Sequence, residues 1–225
     1  MTQTPTTQDN TPGRLFLSSI KLEQTIYNRT QLNNAKIDLP QLALAGRSNV
    51  GKSSLLNALA QQSHLAKTSS IPGKTRSINF FRVDPEGFFI ADLPGYGYAR
   101  RSKCERAAWG ELIDYYLKKS PLLKSVVLLL DCRLPPQELD RQLVDFCRDQ
   151  AIPLLPVLTK ADKANQKERA ERRKQWADIL HGHKPLPVSS KTGLGLSDLW
   201  KELRLAAGIV SLSQIEKNHV GPVKA

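Results

Sequence analysis

Gly46, Gly51, Lys52 and Ser53 stand at the spacing G-x-x-x-x-G-K-S within Leu42-Ala-Leu-Ala-Gly-Arg-Ser-Asn-Val-Gly-Lys-Ser-Ser54. Residue types in this order suit a polyphosphate. The two glycines let the backbone bend and approach a ligand closely. Lys52 brings a point charge to the β- and γ-phosphates, and the Ser53 hydroxyl is a ligand for Mg²⁺. The chemistry also needs a strand that ends at Gly46 and a helix that starts near Lys52, because only then do several amides and the positive end of a helix dipole converge on one volume. The apolar run before Gly46 and the helix-forming Leu55-Leu-Asn-Ala-Leu59 after it provide both.

Further chemistry-bearing residues close other expected strands. Thr75, in a loop after the first helix, is placed to cover a γ-phosphate and to give Mg²⁺ a second hydroxyl. Asp92 suits a metal-bound water, and the Gly95 N–H suits the γ-phosphate, in a loop that hydrolysis would release. Asp162 chooses the base: its carboxylate accepts from a guanine ring N–H and exocyclic amine, whereas adenine presents an acceptor and leaves the acid unpaired. The Lys160 stem can lie on the base plane, and the Ser190 N–H can reach the purine oxygen.

The elements that must position these residues are legible as an alternation. Strands are expected at 14–19, 41–45, 77–83, 88–92, 125–131, 152–158 and 186–188, with a turn at 84–87 making a hairpin of the third and fourth. Helices are expected from Lys52 and over 105–118, 164–180 and 195–206. Another, opened at its first turn by Pro135 and Pro136, runs to about Asp149. Such an order gives an α/β fold with an open, doubly wound, mostly parallel sheet, one antiparallel edge strand, and the ligand at the carboxyl ends of the strands.

Composition sets the frame. Of 225 residues, 1–13 form a Thr/Gln/Pro-rich tail unable to join a core, 14–207 make one domain, and 208–225 read as a second loose tail. Cys104, Cys132 and Cys147 share no ligand or disulfide spacing and read as reduced apolar residues. No apolar run is long enough to span a bilayer and no signal peptide is visible, so a cytoplasmic protein without a membrane partner is expected. The net charge of +12 and the pI near 9.8 favour a polyanionic partner. Two basic groups stand out. Arg100, Arg101, Lys103 and Arg106 follow the Gly95 loop, where a partner could sense the nucleotide. Lys163, Lys167, Arg169, Arg172, Arg173 and Lys174 lie on a helix that suits either RNA or plain solvent exposure laced by i,i+4 ion pairs. His181 and His183 lack further ligands at metal spacing and read as a solvated turn.

With Ala45–Ser54, Pro72-Gly-Lys-Thr-Arg-Ser-Ile-Asn-Phe-Phe81, Asp92-Leu-Pro-Gly-Tyr-Gly-Tyr-Ala99, Asp131-Cys-Arg133 and Thr159-Lys-Ala-Asp162 in view, the chain resembles the Ras-like P-loop GTPases, and more closely the EngB (YihA/YsxC) family among the TrmE-Era-EngA-EngB-septin-like members. The resemblance spans about 15–207. It implies GTP or GDP contacts from Gly46, Arg47, Ser48, Asn49, Val50, Gly51, Lys52 and Ser53 in the first loop. It adds Gly73, Lys74, Thr75, Arg76 and Ser77 in the second, and Asp92, Leu93, Pro94 and Gly95 in the third. Thr159, Lys160, Ala161 and Asp162, then Val188, Ser189 and Ser190, complete the base end. Ser53 and Thr75 are the implied Mg²⁺ ligands, and Lys52, Thr75, Gly95 and Asn49 the implied catalytic residues. Thr159 stands where the common guanine motif has Asn, as this family's pattern allows.

Tyr96 stands where Ras-like proteins carry a water-orienting Gln, which implies slow intrinsic turnover. Asn49 matches the K⁺-coordinating Asn of related GTPases. The family's role implies late assembly of the large ribosomal subunit, with rRNA and ribosomal proteins as partners, no DNA, a monomeric chain, and a link to cell division and septation. Two other classes stay open. A septin-like structural GTP-binding protein lacks the heptad tail and length expected of it here, and an ATP-dependent enzyme conflicts with Asp162.

Overall fold

The computed structural model describes residues 18–66, 77–96 and 103–209. Seven strands and six helices follow in the order β1 (Ser19–Ile26), α1 (Arg29–Asn33), β2 (Gln41–Gly46), α2 (Lys52–Ala60), β3 (Ile78–Asp84), β4 (Phe88–Asp92), α3 (Lys103–Lys119), β5 (Leu123–Asp131), α4 (Glu138–Asp149), β6 (Leu154–Thr159), α5 (Gln166–Ile179), β7 (Leu186–Pro187) and α6 (Leu196–Ala206). A single 3₁₀ turn, Ala161–Lys163, sits between β6 and α5.

The strands form one sheet in the order β1-β3-β4-β2-β5-β6-β7. Every residue of β2 is buried, as expected of a short apolar strand in the middle of a sheet covered on both faces. Alternation decides which layer each strand residue joins. Leu42, Leu44, Val127 and Leu129 pack with Leu55, Leu56 and Leu59 of α2 and Leu199 and Leu203 of α6. Ala43, Ala45, Phe80 and Val126 pack with Leu112 and Tyr116 of α3 and Cys147 of α4 on the other face. Leu128, Leu130 and Leu158 meet Val144 of α4 and Trp176 of α5.

Parallel pairing fixes the ends of four strands together. Leu44 is paired with Asp92, Gly46 with Leu129, and Asp131 with Thr159, so the residues that leave β2, β4, β5 and β6 emerge along one edge of the sheet.

The expected sheet stands, with corrections in detail. The antiparallel strand is β3, which lies one place in from the edge, because β1 pairs with it from Ser19↔Asp84 to Ile26↔Ile78. The first strand therefore occupies 19–26 and not 14–19; residues 14–17 lie outside the described ones. A bulge between Leu22 and Gln24 breaks its alternation and hides it from a period-two reading. Pro135 and Pro136 precede α4 without entering its first turn, since Gln137 is the N-cap. Helix α1 was not expected. Its cap is Asn28, whose side chain accepts from the Gln31 amide at 2.9 Å.

The α6 helix is pinned to the β3–β4 turn by charge. Arg204 donates to Glu86 Oε1 from Nη2 at 2.7 Å and from Nε at 3.2 Å, and Ser18 bonds the same carboxylate. The Glu86 side chain is 7% exposed. Burial alone would raise its pKa, yet the bonds from Ser18 and Arg204 bring it below the usual range. Arg204→Met removes the counter-charge and leaves a buried carboxylate, so the unfolding free energy at pH 7 should fall by about 3 kcal/mol in urea titrations.

Candidate functional site

The loop between β2 and α2 is shaped by backbone geometry. Asn49 and Gly51 take φ of 65° and 113°. A Cβ on Gly46 would lie 2.8 Å from Val50 Cγ1 and 2.9 Å from the Leu129 carbonyl, so no other residue fits there. The first α2 bond runs from the Leu55 amide to the Gly51 carbonyl. Ahead of it, the amides of Gly51, Lys52, Ser53 and Ser54 have no acceptor among the described residues, and no side chain caps the helix. Four free donors at a helix N-terminus form an anion site.

Lys52 and Asp92 face this site as a charged pair. Lys52 Nζ reaches the Gly46 carbonyl at 3.4 Å. Burial lowers the Lys52 pKa, with Asp92 pulling the other way. Burial pushes Asp92 up to about 6 against the attraction of Lys52, and its Oδ1 is buried without a hydrogen-bond partner among the described residues. An unpartnered buried carboxylate oxygen beside a phosphate loop fits a hydrated Mg²⁺, so this donor set passes the test for that ion.

A cavity of about 550 Å³ opens beside the loop, lined by Gly51, Ser54 and Asn57 on one side and by Thr159, Lys160, Asp162 and Ser190 on the other. Asp162 accepts from Ser189 Oγ at 2.7 Å, which is the first cause of its pKa lying below the ordinary value. Ser189 Oγ in turn accepts from the amides of Lys191 and Thr192, both at 3.2 Å, so its proton is directed at Asp162. An acceptor-only carboxylate is thus held at the wall of a cavity large enough for a base.

Two bonds tie this wall to the phosphate loop. Thr159 Oγ1 lies 2.7 Å from the Val50 carbonyl and 3.1 Å from that of Leu130. Lys160 Nζ donates to the Asn49 carbonyl and to Asp131 Oδ2, both at 2.7 Å. Burial works against Asp131, yet bonds from Arg133 and Lys160 bring it down to about 2. Ala161 and Val188 hold the same region by a backbone bond, Ala161 N to Val188 O at 3.0 Å.

The Gly95 segment lies on the loop from the other side. Ser48 N donates to the Tyr96 carbonyl at 2.9 Å, and Ser48 Oγ to the Gly95 carbonyl at 3.3 Å. A Cβ on Gly95 would meet Ser48 N and Cα at 2.9 Å and Lys52 Nζ at 3.0 Å. Leu93 and Pro94 are buried, and the Leu93 amide bonds the Leu44 carbonyl. The Tyr96 phenol donates to Asp140 Oδ1 at 2.7 Å, and Arg47 Nη1 donates to Gln137 Oε1 at 3.1 Å, so both side chains are committed to the start of α4.

Most of the residues singled out in the sequence therefore meet at one edge. Ser77 does not line the cavity; it is buried ahead of β3, with Oγ 3.5 Å from Asn79 Oδ1. Gly73, Lys74, Thr75 and Arg76, and also Arg100 and Arg101, lie outside the described residues. Sequence reasoning gave no role to Asp131 or Asp140. Asp131 closes an apolar strand, a usable signal; Asp140 looks like any first-turn acid. No cluster of three or more His, Cys, Asp and Glu that could by itself hold a metal occurs among the described residues, at His181 and His183 or elsewhere, and no described helix is long and apolar enough to cross a membrane.

Comparison with known proteins decides what this geometry serves. The profile of the family described as 50S ribosome-binding GTPase matches residues 41–160. A protein of Nitratidesulfovibrio vulgaris (strain DP4), named "Probable GTP-binding protein EngB", is 59% identical over 195 residues, covering 86% of this chain and 89% of its own. The chain belongs to the EngB family of GTP-binding proteins. An EngB of Oleidesulfovibrio alaskensis is 58% identical over 186 residues, 83% of this chain and 84% of its own. A crystal structure titled as an EngB aligns with a TM-score of 0.63 over 75% of this chain and 98% of that one, at 21% identity, which speaks for the fold. As an EngB the chain is a GTPase.

The raised pKa of Asp92 gives a signed expectation. A group whose folded pKa of about 6 exceeds its unfolded value contributes stability at low pH that is lost as pH rises through 6. In nucleotide-free, metal-free protein, Asp92→Asn should be more stable than the parent at pH 8. That advantage should shrink by about 2–3 kcal/mol towards pH 4, where both forms are neutral, in parallel denaturant titrations.

Proposed function

We propose that this EngB is a guanine-nucleotide switch that binds GTP and GDP with Mg²⁺, turns GTP over slowly, and acts in late assembly of the large ribosomal subunit. The observation that carries the nucleotide reading is the ionised Asp162, fixed by Ser189 at the wall of the cavity that begins at the phosphate loop. A carboxylate there pairs with the two N–H groups of guanine and with nothing on adenine. Ser53, with Thr75, would hold Mg²⁺, which supplies charge to the phosphate oxygens when bound. Support for the ribosomal reading is the description of the matching family and the net charge of +12, which suits rRNA. On this reading the chain works as a cytoplasmic monomer on a particle of rRNA and ribosomal proteins, without DNA, and the link to division and septation follows from ribosome supply.

Slow turnover follows from Tyr96. Its phenol is spent on Asp140, so the position that would orient an attacking water offers backbone alone. Asn49 supports a K⁺ in compensation. Its main-chain carbonyl is taken by Lys160, but its side chain makes no hydrogen bond among the described residues and is exposed. A cation held by that amide oxygen and by phosphate oxygens would add charge where the transition state needs it.

Two measurements test this reading. Asp162→Asn should weaken GTP by roughly 10²-fold and admit xanthosine triphosphate, whose ring oxygen accepts from the new amide; unchanged guanine preference would refute the assignment of the base. Secondly, the protein should co-sediment with large ribosomal subunits in one nucleotide state more than in the other. Its hydrolysis, with or without them, should be faster in K⁺ than in Na⁺ unless Asn49 is changed to Ala. Absence of any nucleotide-dependent sedimentation counts against the ribosomal role, and equal rates in both salts against the K⁺.

A further inference from the structure

The helix α5 carries Lys167, Arg169, Arg172, Arg173 and Lys174, and its sequence offers three i,i+4 ion pairs, Lys167–Glu171, Glu168–Arg172 and Lys174–Asp178. None of the three forms, and none of the five cations has an acidic partner within 4.0 Å among the described residues. Two of the three acids of the helix are engaged elsewhere, and the Asp178 carboxylate makes no bond among the described residues. Glu168 Oε2 accepts from the Asn165 amide at 2.7 Å in a capping box, and Glu171 Oε1 accepts from Gln175 at 3.0 Å. Two of the three possible pairs also place the cation N-terminal to the acid, the weaker orientation. The helix is exposed along Lys167, Glu171, Lys174 and Asp178, but the i,i+4 pairs expected to lace it are not formed.

Other acids do find cations. Surface pairs form elsewhere, for example Lys118–Asp114 at 2.7 Å on α3 and Lys201–Asp198 at 3.2 Å on α6. On α5 the arginines bond only neutral groups: Arg169 Nε the Asn165 carbonyl, Arg172 Nη1 Gln175, and Arg173 Nε the Pro185 carbonyl. Arg172 Nε is buried with no acceptor among the described residues. We infer that α5 is a docking helix for the phosphate backbone of RNA, with the exposed Lys167 and Lys174 and the half-buried Arg169 on its flank neutralising phosphates. The inference rests on the ribosomal reading above and names the surface that serves it.

Charge complementarity selects the partner. Unpaired guanidinium and ammonium groups on a rigid 14-residue helix match an array of phosphates, and three of the five are arginines, whose planar fork suits phosphate oxygens. An anionic membrane needs an apolar stripe beside the cations. None of the exposed large apolar residues, Leu22, Tyr27, Leu134, Leu139, Leu194 and Ile209, belongs to α5, whose Trp176 and Ala177 are buried in the core. The position of α5 also joins the two activities, because its N-cap Asn165 follows Asp162 by three residues.

The test uses the full chain loaded with GDP or a non-hydrolysable GTP analogue, and in-vitro-transcribed large-subunit rRNA as the probe. Affinity is measured across a series of monovalent salt concentrations for the parent and two variants. The neutral variant is Lys167→Gln, Arg169→Gln, Lys174→Gln; the charge-preserving one is Lys167→Arg, Arg169→Lys, Lys174→Arg. The neutral variant should lose about 10²-fold in affinity near 0.1 M salt and flatten the log–log salt slope by about 2, with GDP affinity unchanged and the charge-preserving variant restored. Equal affinity and slope in parent and neutral variant would overturn the assignment of α5 while leaving the ribosomal reading in place. Failure of the parent itself to bind rRNA or subunits would overturn that reading first. Capture by phosphatidylglycerol vesicles in place of rRNA, lost in the neutral variant, would overturn the choice of RNA.

Discussion

The phosphate loop is gripped by its carbonyls and left open at its amides. Thr159 and Lys160, the last residue of β6 and the one after it, bond the carbonyls of Val50 and Asn49, and every free donor at the start of α2 is then turned to the ligand side. A loop with two residues at positive φ would otherwise sample many shapes. Backbone carbonyls fixed from behind convert it into a rigid receptor, in which donors are positioned before a ligand arrives. Parallel pairing of β2, β5 and β6 is what brings residues over a hundred positions apart within reach of one bond.

That arrangement explains why Thr replaces Asn in the base-reading loop without cost to the site. Thr159 is 3% exposed and sets its hydroxyl between the carbonyls of Val50 and Leu130, so it works as a brace, while the cavity wall beside it carries Asp162 with its hydroxyl partner Ser189. The same economy appears at Tyr96. Its backbone closes on Ser48 while its phenol is anchored to the buried Asp140, so the segment that senses the phosphate is tied to α4.

The strands, the phosphate loop and Asp162 were legible because each depends on local pattern: apolar runs, a glycine spacing, and an acid at a strand end. What escaped depends on contacts distant in sequence or on a broken pattern. The bulge in β1 shifted the apparent alternation. Asp140 pairs with a residue 44 positions away, and nothing in the amphipathic pattern of α4 marks it. The ion pairs of α5 are permitted by spacing and absent in fact; Glu168 closes the helix cap and Glu171 accepts from Gln175, choices that geometry alone makes visible.

A single ammonium ties two loops together. Lys160 holds the Asn49 carbonyl of the phosphate loop and the Asp131 carboxylate at the end of β5, with 26% of its side chain exposed. A motion that withdraws Lys160 to free one end removes the support of the other in the same step. The phosphate loop and the carboxyl end of β5 thus share one tether, and loosening it at either end slackens both.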